Sequence, residues 1–260
     1  MKTNLKQKIE FLQTSPLHEV IPVTVAAATV GPNGLLTVPN LIRVFQEAAM
    51  RNTVRLKISS PELIAAEGLS WILRRQRITI LQLPAMGQAT RVITAPSGFA
   101  RRLQTFRDFH LIDEHGTPLA AATSQWLLLD VNSRRLRPIP DHIATLSKSL
   151  APAAAHLDPP TGKIPPPAAP NLSVTARVAY YQLDFNKHLT NPVFPELMLE
   201  PLGADFLSQQ RPTLVDIDFR AEAYYGENLT AYAQKSATGF QHGLYRGDDL
   251  LATMTTEWSE

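Results

Sequence analysis

The chain has 260 residues and is 44% apolar, enough material for one large or two ordinary globular domains. Its net charge of +2 is too small to favour nucleic-acid binding, and it has no run of about eighteen apolar residues that would span a membrane. There is no cysteine, which excludes disulfides, thiolate metal ligands and a cysteine nucleophile.

The N-terminal residues are basic, but Gln7, Lys8 and Glu10 interrupt the apolar stretch that a signal peptide requires. We therefore expect a cytoplasmic protein.

The first half, residues 1–145, predicts a strand, a long helix and an antiparallel meander. A strand over residues 21–30 ends in the turn-forming residues 31–34, and Pro39 then opens an amphipathic helix. A short helix follows from about residue 59 to 68. The apolar period then changes to that of strands, at residues 71–83, 88–94, 101–112 and 118–131, with a hairpin turn at 113–116.

Residues 146–171 are rich in proline and alanine, which predicts a partly extended linker outside the core. The second half, residues 172–260, then repeats the order of the first. The predicted elements are a strand at 172–180, a helix from 192 to about 207, and strands at 213–223, 229–236, 240–245 and 250–258.

Short matches between the halves indicate an internal repeat. Leu36–Pro39 aligns with Leu189–Pro192, Gly87 with Gly226, and Trp126 with Trp258. We therefore predict an α+β fold of two repeats, each a long helix laid on an antiparallel sheet. The sheets could pair edge to edge and so protect both edges.

Chemically active side chains cluster at the polar stretch before the second helix. Asp184, Asn186 and His188 alternate along the chain and could converge on one spot, where they would supply a charge, an amide donor and a group that titrates near neutrality. The simpler interpretation is a polar turn that caps the helix. The first repeat has Gly31 and Leu35 in place of the acid and the imidazole, so a structural need common to both repeats does not explain them.

Glu222 is the second candidate, because the repeat aligns it with Leu83. The alternative is a solvated carboxylate at the end of a strand. The arginine cluster that begins at Arg134 is interpreted as a solvated face, or as a docking site for an acidic partner. The sequence carries no nucleophile elbow, phosphate loop, calcium loop or zinc spacing, so we predict no metal and no cofactor.

These motifs together resemble the acyl-acyl carrier protein thioesterases of plants and bacteria. In the motif of the second half, the matching residues are Asp184, Asn186, His188, Asn191, Leu199 and Glu200. Thr190, Phe194 and Leu197 depart from it, and Ala223 stands where plant members have a cysteine after the glutamate. In the first half the resemblance includes Gln46–Ala49, Trp71–Arg75, Arg107–Phe109 and Ala122–Trp126.

The resemblance implies a tandem (double) hotdog fold, with an N-terminal hotdog that holds the acyl chain and a C-terminal catalytic hotdog. It implies catalytic roles for Asp184, Asn186, His188 and Glu222 in hydrolysing fatty acyl-acyl carrier protein. Glu222 would activate water, Asn186 would position that water or bind the oxyanion, His188 would orient the thioester or protonate the thiolate, and Asp184 would hold His188 or Asn186 in place. The implied acyl-chain residues are Leu41, Phe45, Ala49 and Trp71.

Other functions stay open at this point. They are an acyl-CoA thioesterase, a hotdog dehydratase acting on β-hydroxyacyl groups, and an acyl-binding hotdog protein without turnover. The expected partner is acyl carrier protein bearing a fatty acyl thioester, and a homodimer is a further expectation.

Overall fold

A computed structural model describes residues 2–259 of the chain. The elements of the first half are α1 (Lys2–Leu12), β1 (Glu19–Thr24), α2 (Val38–Arg55), α3 (Ser60–Glu67), β2 (Leu69–Ile80), β3 (Ala89–Ala100), β4 (Gln104–Asp113), β5 (Pro118–Asp130), β6 (Leu136–Arg137) and α4 (Asp141–Ala144). Those of the second half are β7 (Leu172–Arg177), α5 (Val193–Leu199), α6 (Ala204–Gln209), β8 (Arg211–Phe219), β9 (Asn228–Lys235), β10 (Gly239–Arg246) and β11 (Asp249–Ser259). Among these helices, none is long and apolar enough to cross a membrane.

The strands form one continuous antiparallel sheet in the order β1-β3-β4-β5-β2-β8-β11-β10-β9-β7, with β6 paired to β5. The two halves meet where β2 pairs with β8, so each half covers an edge of the other, as the repeat predicted. A buried ion pair crosses this seam. Arg75 donates to both carboxylate oxygens of Asp216 at 2.8 Å, and each side chain is less than a tenth exposed.

Helix α2 packs along the sheet of the first half. The Thr37 hydroxyl accepts the N–H of Asn40 at 3.3 Å and caps the helix, and Pro39 lies in the first turn, where it removes no helical hydrogen bond. Apolar side chains at helical spacing form one buried face. Within it, Phe45 stacks on Phe109 of β4 with ring centroids 5.0 Å apart.

The second half lacks the single long helix that the sequence predicted over residues 192–207. The α5 helix ends at Leu199, a short 3-10 turn follows over Glu200–Leu202, and α6 begins at Ala204. Pro201 has no N–H for a helical hydrogen bond, and Gly203 adopts a φ of +81°, which ends the helix. The prediction was wrong here because it weighed apolar spacing above these two breakers.

The proline- and alanine-rich segment is packed rather than loose. Ala151, Ala155 and Ile164 are buried, and the first two lie in an apolar cluster with residues of α1 and β3. The buried carboxylate of Asp108 accepts the N–H of Leu157 at 2.8 Å and anchors the segment to the sheet. The expectation that this segment stays outside the core was therefore wrong. The sequence analysis also did not predict α1, whose residues pack against the segment.

The backbone reproduces the internal repeat. Val30 pairs with Leu36 in the first half and Leu183 with Leu189 in the second, so each repeat closes the same loop before its helix. In each loop the residue two positions before the closing leucine has a positive φ, 72° at Gly34 and 65° at Lys187. The two loops thus share the same backbone closure, although their side chains differ.

Candidate active site

Asp184 shapes the loop that carries the candidate residues. Its Oδ1 accepts the backbone N–H groups of Asn186 at 2.8 Å and His188 at 3.1 Å, and its own N–H donates to the His188 carbonyl oxygen at 2.8 Å. This is the local side-chain-to-backbone bonding that aspartate favours in turns. The resemblance implied that Asp184 would hold His188 or Asn186 in place, and in the structure Asp184 contacts the main chain of both.

His188 faces Glu222 across the end of the sheet. An antiparallel bridge joins His188 to Tyr224, and the N–H of Leu189 donates to the Ala223 carbonyl oxygen at 2.8 Å. This pairing brings His188 Nδ1 within 3.4 Å of Glu222 Oε1. The two side chains are 22% and 27% exposed, so the pair is partly withdrawn from water but reachable.

The two oxygens of Glu222 have different partners. Oε1 faces His188, while Oε2 accepts the guanidinium of Arg134 and the Tyr224 hydroxyl, the latter at 3.0 Å. Burial by itself would raise the pKa of Glu222, but hydrogen bonds from Arg134 and Tyr224 and the proximity of His188 and Arg134 outweigh it and lower this pKa. Burial and the bond to Glu222 raise the pKa of Tyr224. At neutral pH Glu222 is therefore an ionised carboxylate facing an imidazole.

Two cavities meet at this loop. The larger, of about 500 Å³, contains His188, Glu222 and Arg134. The smaller, of about 120 Å³, lies between α2 and the sheet of the first half and is lined by largely apolar side chains, including those of Ala49 and Phe99. The residues that line both cavities are Trp71, Trp126, Asp184, Asn186 and Asn191. The loop that carries the candidate residues of the second half thus also lines a pocket in the first.

The four predicted acyl-chain residues separate into two groups. Ala49 lines the smaller cavity and Trp71 lines both. Leu41 and Phe45 are fully buried in the main core beneath them and line neither cavity. The structure thus brings Ala49 and Trp71 to the cavities beside the candidate loop, whereas Leu41 and Phe45 serve in the packing of the helix that carries Ala49.

The equivalent position in the first half has no acid or imidazole. Leu35 bridges to Ala85 as His188 bridges to Tyr224, so Leu35 and Leu83 occupy the places of His188 and Glu222. This confirms the predicted repeat register. A third cavity, of about 430 Å³, lies beside Leu35 and Leu83. The fold therefore provides two related cavities. The one beside Leu35 and Leu83 is lined by charged residues of its own, Arg43, Glu196, Glu200 and Arg211, but its loop carries leucines where the other has His188 and Glu222.

Arg134 and Tyr224 are site residues that the sequence analysis missed. Arg134 was interpreted as part of a solvated or docking cluster, because nothing local indicates contact with a residue far along the chain. Tyr224 could have been found from alternation, since it lies two residues after Glu222 in the segment that follows β8. Within residues 2–259, no three histidine, cysteine, aspartate or glutamate side chains are grouped to hold a metal ion.

The fold is that of a double hotdog protein. An acyl-ACP thioesterase structure from Bacteroides thetaiotaomicron covers 94% of this chain and 98% of its own, at 19% identity and a TM-score of 0.82. The 12:0-ACP thioesterase from Umbellularia californica covers 94% and 97%, at 17% identity and a TM-score of 0.83. Structural similarity at such low sequence identity establishes the fold alone.

Sequence comparison establishes the family. The acyl-ACP thioesterase N-terminal domain matches residues 22–146, and the C-terminal domain matches residues 169–260. The chain therefore belongs to the acyl-ACP thioesterase family. Oleoyl-acyl carrier protein thioesterase 1 of Arabidopsis thaliana is 24% identical over 74% of this chain. An acyl-[acyl-carrier-protein] hydrolase of Cuphea viscosissima is 23% identical over 88% of it. The chain spans 57% and 60% of the lengths of these two relatives.

Proposed function

We propose that this chain hydrolyses the thioester of fatty acyl-acyl carrier protein and releases a free fatty acid. The observation that carries the proposal is the His188–Glu222 pair, set where the larger cavity meets the smaller pocket. Such a junction suits a substrate whose reacting carbonyl joins a polar arm to an apolar chain. The names of the relatives support acyl carrier protein as the carrier of that chain.

The side-chain contacts favour His188 as the general base. Water adds to the thioester carbonyl carbon while His188 takes its proton, and the tetrahedral intermediate then expels the thiolate, which receives that proton. Glu222 has a lowered pKa, which makes it a weak base but a good partner for an imidazolium. This differs from the role implied by the family resemblance, in which Glu222 activates the water.

Asn186 and Asp184 support this reaction in different ways. Asn186 lines both cavities, so its amide N–H is suited to stabilise the oxyanion that forms on the carbonyl oxygen. The carboxylate of Asp184 is engaged by the backbone N–H groups of Asn186 and His188. Its role is to keep those two residues in register with each other, and it takes no part in proton transfer.

The acyl chain would enter the smaller cavity from the catalytic loop. Ala49 of α2 and Trp71 of β2 line this cavity, and Leu41 and Phe45 lie behind it in the core. A buried apolar pocket discriminates acyl chains by length, because each methylene that fits contributes about 0.8 kcal/mol. The first half thus selects the chain and the second half cleaves it.

A thiol-release assay tests the proposal. Purified protein is mixed separately with acyl-acyl carrier protein and with the matching acyl-CoA, free thiol is followed with Ellman's reagent, and products are identified by mass spectrometry. We expect free fatty acid and thiol in equal amounts, with the carrier-protein substrate preferred. Faster turnover of acyl-CoA would assign the chain to that substrate. An enoyl thioester made from a β-hydroxyacyl substrate without thiol release would make it a dehydratase, and tight binding without any product would make it an acyl-binding protein.

The cytoplasmic location and a homodimer stay predictions from the sequence.

A further inference from the structure

Arg134 reaches the candidate catalytic pair from the other half of the protein. It lies in the turn between β5 and β6 of the first half, whereas Glu222 follows β8 of the second. Its guanidinium donates to Glu222 Oε2 and lies in the larger cavity with His188. The contact therefore crosses the seam between the halves and ends on the carboxylate that faces the imidazole.

The turn that carries Arg134 is held by its own hydrogen bonds. Asp130 Oδ1 accepts the N–H groups of Asn132 at 3.1 Å and Ser133 at 2.9 Å, and the Asp130 carbonyl oxygen accepts the N–H of Arg134 at 2.9 Å. Arg134 itself adopts a φ of +57°, a conformation that a non-glycine residue rarely takes. The surrounding bonds maintain this conformation, so the start of the side chain is fixed.

The contacts of Glu222 give Arg134 a defined effect. A free carboxylate can turn about its last bond and present either oxygen, or neither, to His188. Arg134 and Tyr224 together occupy Oε2 and so leave Oε1 toward His188 Nδ1. Three other arginines line this cavity, Arg74, Arg220 and Arg246. Arg74 and Arg220 pair with Asp218, and Arg246 donates to the Glu222 backbone carbonyl oxygen at 3.4 Å and pairs with Glu227, so these contacts do not replace Arg134 at the carboxylate.

We propose that Arg134 is a positioning residue for hydrolysis, which holds the Glu222 carboxylate in the orientation that lets Glu222 orient His188. This inference rests on the proposed function, in which His188 and Glu222 act as a pair. It also gives the first half a part in catalysis, because each half then supplies a residue that the reaction requires.

The test uses Arg134→Gln and Arg134→Lys in the full chain, with Arg135→Gln as the matched control. Arg135 is the next residue along the chain; it is exposed, as Arg134 is, and carries the same charge. We expect Arg134→Gln to lower kcat by about tenfold to a hundredfold, the scale that misplacement of a reacting group produces, with little change in KM. The acid limb of the kcat profile should move to higher pH, because Glu222 loses the partner that favours its charged form. Arg134→Lys should restore part of kcat, since it keeps the charge but not the forked geometry. Arg135→Gln should resemble the unmodified protein.

Equal increases in KM for the Arg134→Gln and Arg135→Gln variants, with kcat and the pH profile unchanged, would overturn the inference and make Arg134 a docking residue. Glu222→Gln, alone and combined with Arg134→Gln, separates this inference from the proposed function. If Glu222→Gln keeps full kcat, the proposed pair itself is wrong. If Glu222→Gln loses kcat but Arg134→Gln does not, only the role of Arg134 is wrong. If the positioning account is correct, the double variant should be no slower than Glu222→Gln alone.

Discussion

The substitution Ala49→Phe tests where the acyl chain lies. Ala49 lines the smaller cavity, together with Trp71, Phe99 and residues of the loop that carries Asp184. A phenylalanine there would occupy space that a long acyl chain needs, while the His188–Glu222 pair, which lies in the other cavity, stays untouched. Long chains should therefore lose more than short ones.

The size of the effect follows from the area that each acyl carbon buries. A methylene contributes about 0.8 kcal/mol, so exclusion of two carbons costs about 1.6 kcal/mol. That energy corresponds to a loss of about fifteenfold in kcat/KM for each two-carbon step beyond the new floor of the pocket. The best remaining substrate should keep most of its kcat, because the chemistry at the carbonyl does not change.

The assay measures kcat/KM by thiol release over saturated acyl-acyl carrier proteins that differ by two carbons. Ala204→Phe is the matched control, because Ala204 lines the third cavity, beside the first-half loop without acid or imidazole. Ala48 is not suitable as the control, because it lines none of the three cavities described above and a phenylalanine there would only overpack the core. An unchanged length profile in a folded Ala49→Phe protein, or the same shift in Ala204→Phe, would place the acyl chain elsewhere.

Asp184→Ala should lower kcat by about a hundredfold, the scale that misplacement of a reacting group produces, because Asn186 and His188 lose the carboxylate that positions them. It should also destabilise the loop by about 1–3 kcal/mol, since two N–H groups lose their acceptor. Thiol release and urea unfolding measure the two effects, and wild-type values would contradict the role of Asp184. Asp216→Ala should cost about 3–5 kcal/mol of unfolding free energy, because it leaves Arg75 buried without its partner. The double variant Arg75→Met with Asp216→Leu should recover most of that loss. An Asp216→Ala protein as stable as the wild type would refute this account of the seam. Because the folded pKa of Glu222 lies below its unfolded value, the charge of Glu222 stabilises the fold above the unfolded pKa, and this stability is lost as pH falls through the folded pKa. The stability deficit of Glu222→Gln should therefore shrink on acidification, and a deficit independent of pH would contradict it.

The repeat register could be predicted because local signals fix it. Turn glycines, a proline at the start of each helix and a tryptophan near the end of each last strand align the halves. From the sequence alone, this alignment places His188 against Leu35 and Glu222 against Leu83. The bridges of Leu35 to Ala85 and His188 to Tyr224 reproduce that alignment. Alternation and turn chemistry depend on only a few neighbouring residues, so the sequence alone is enough to predict the structures that they produce.

Features that depend on the packing of distant segments could not be predicted in the same way. Arg134 reaches Glu222 only because β2 and β8 join the two halves, and no local pattern encodes that distance. The linker has few large side chains, yet its alanines fit against α1 and the outer face of the sheet. The break at Pro201 and Gly203 was readable from residue type, but the apolar spacing of the surrounding helix outweighed it in the prediction.

The central claim is that hydrolysis depends on His188 in the second repeat and on nothing equivalent in the first. The direct measurement compares kcat for thiol release from the preferred acyl-acyl carrier protein in His188→Ala and in Leu35→Ala, which removes the side chain at the matching position of the other repeat. His188→Ala should lose about a hundredfold to ten-thousandfold, the usual contribution of a general base, while Leu35→Ala should stay within a few-fold of the wild type. A folded His188→Ala protein with near wild-type kcat, or an equal loss in Leu35→Ala, would contradict the account.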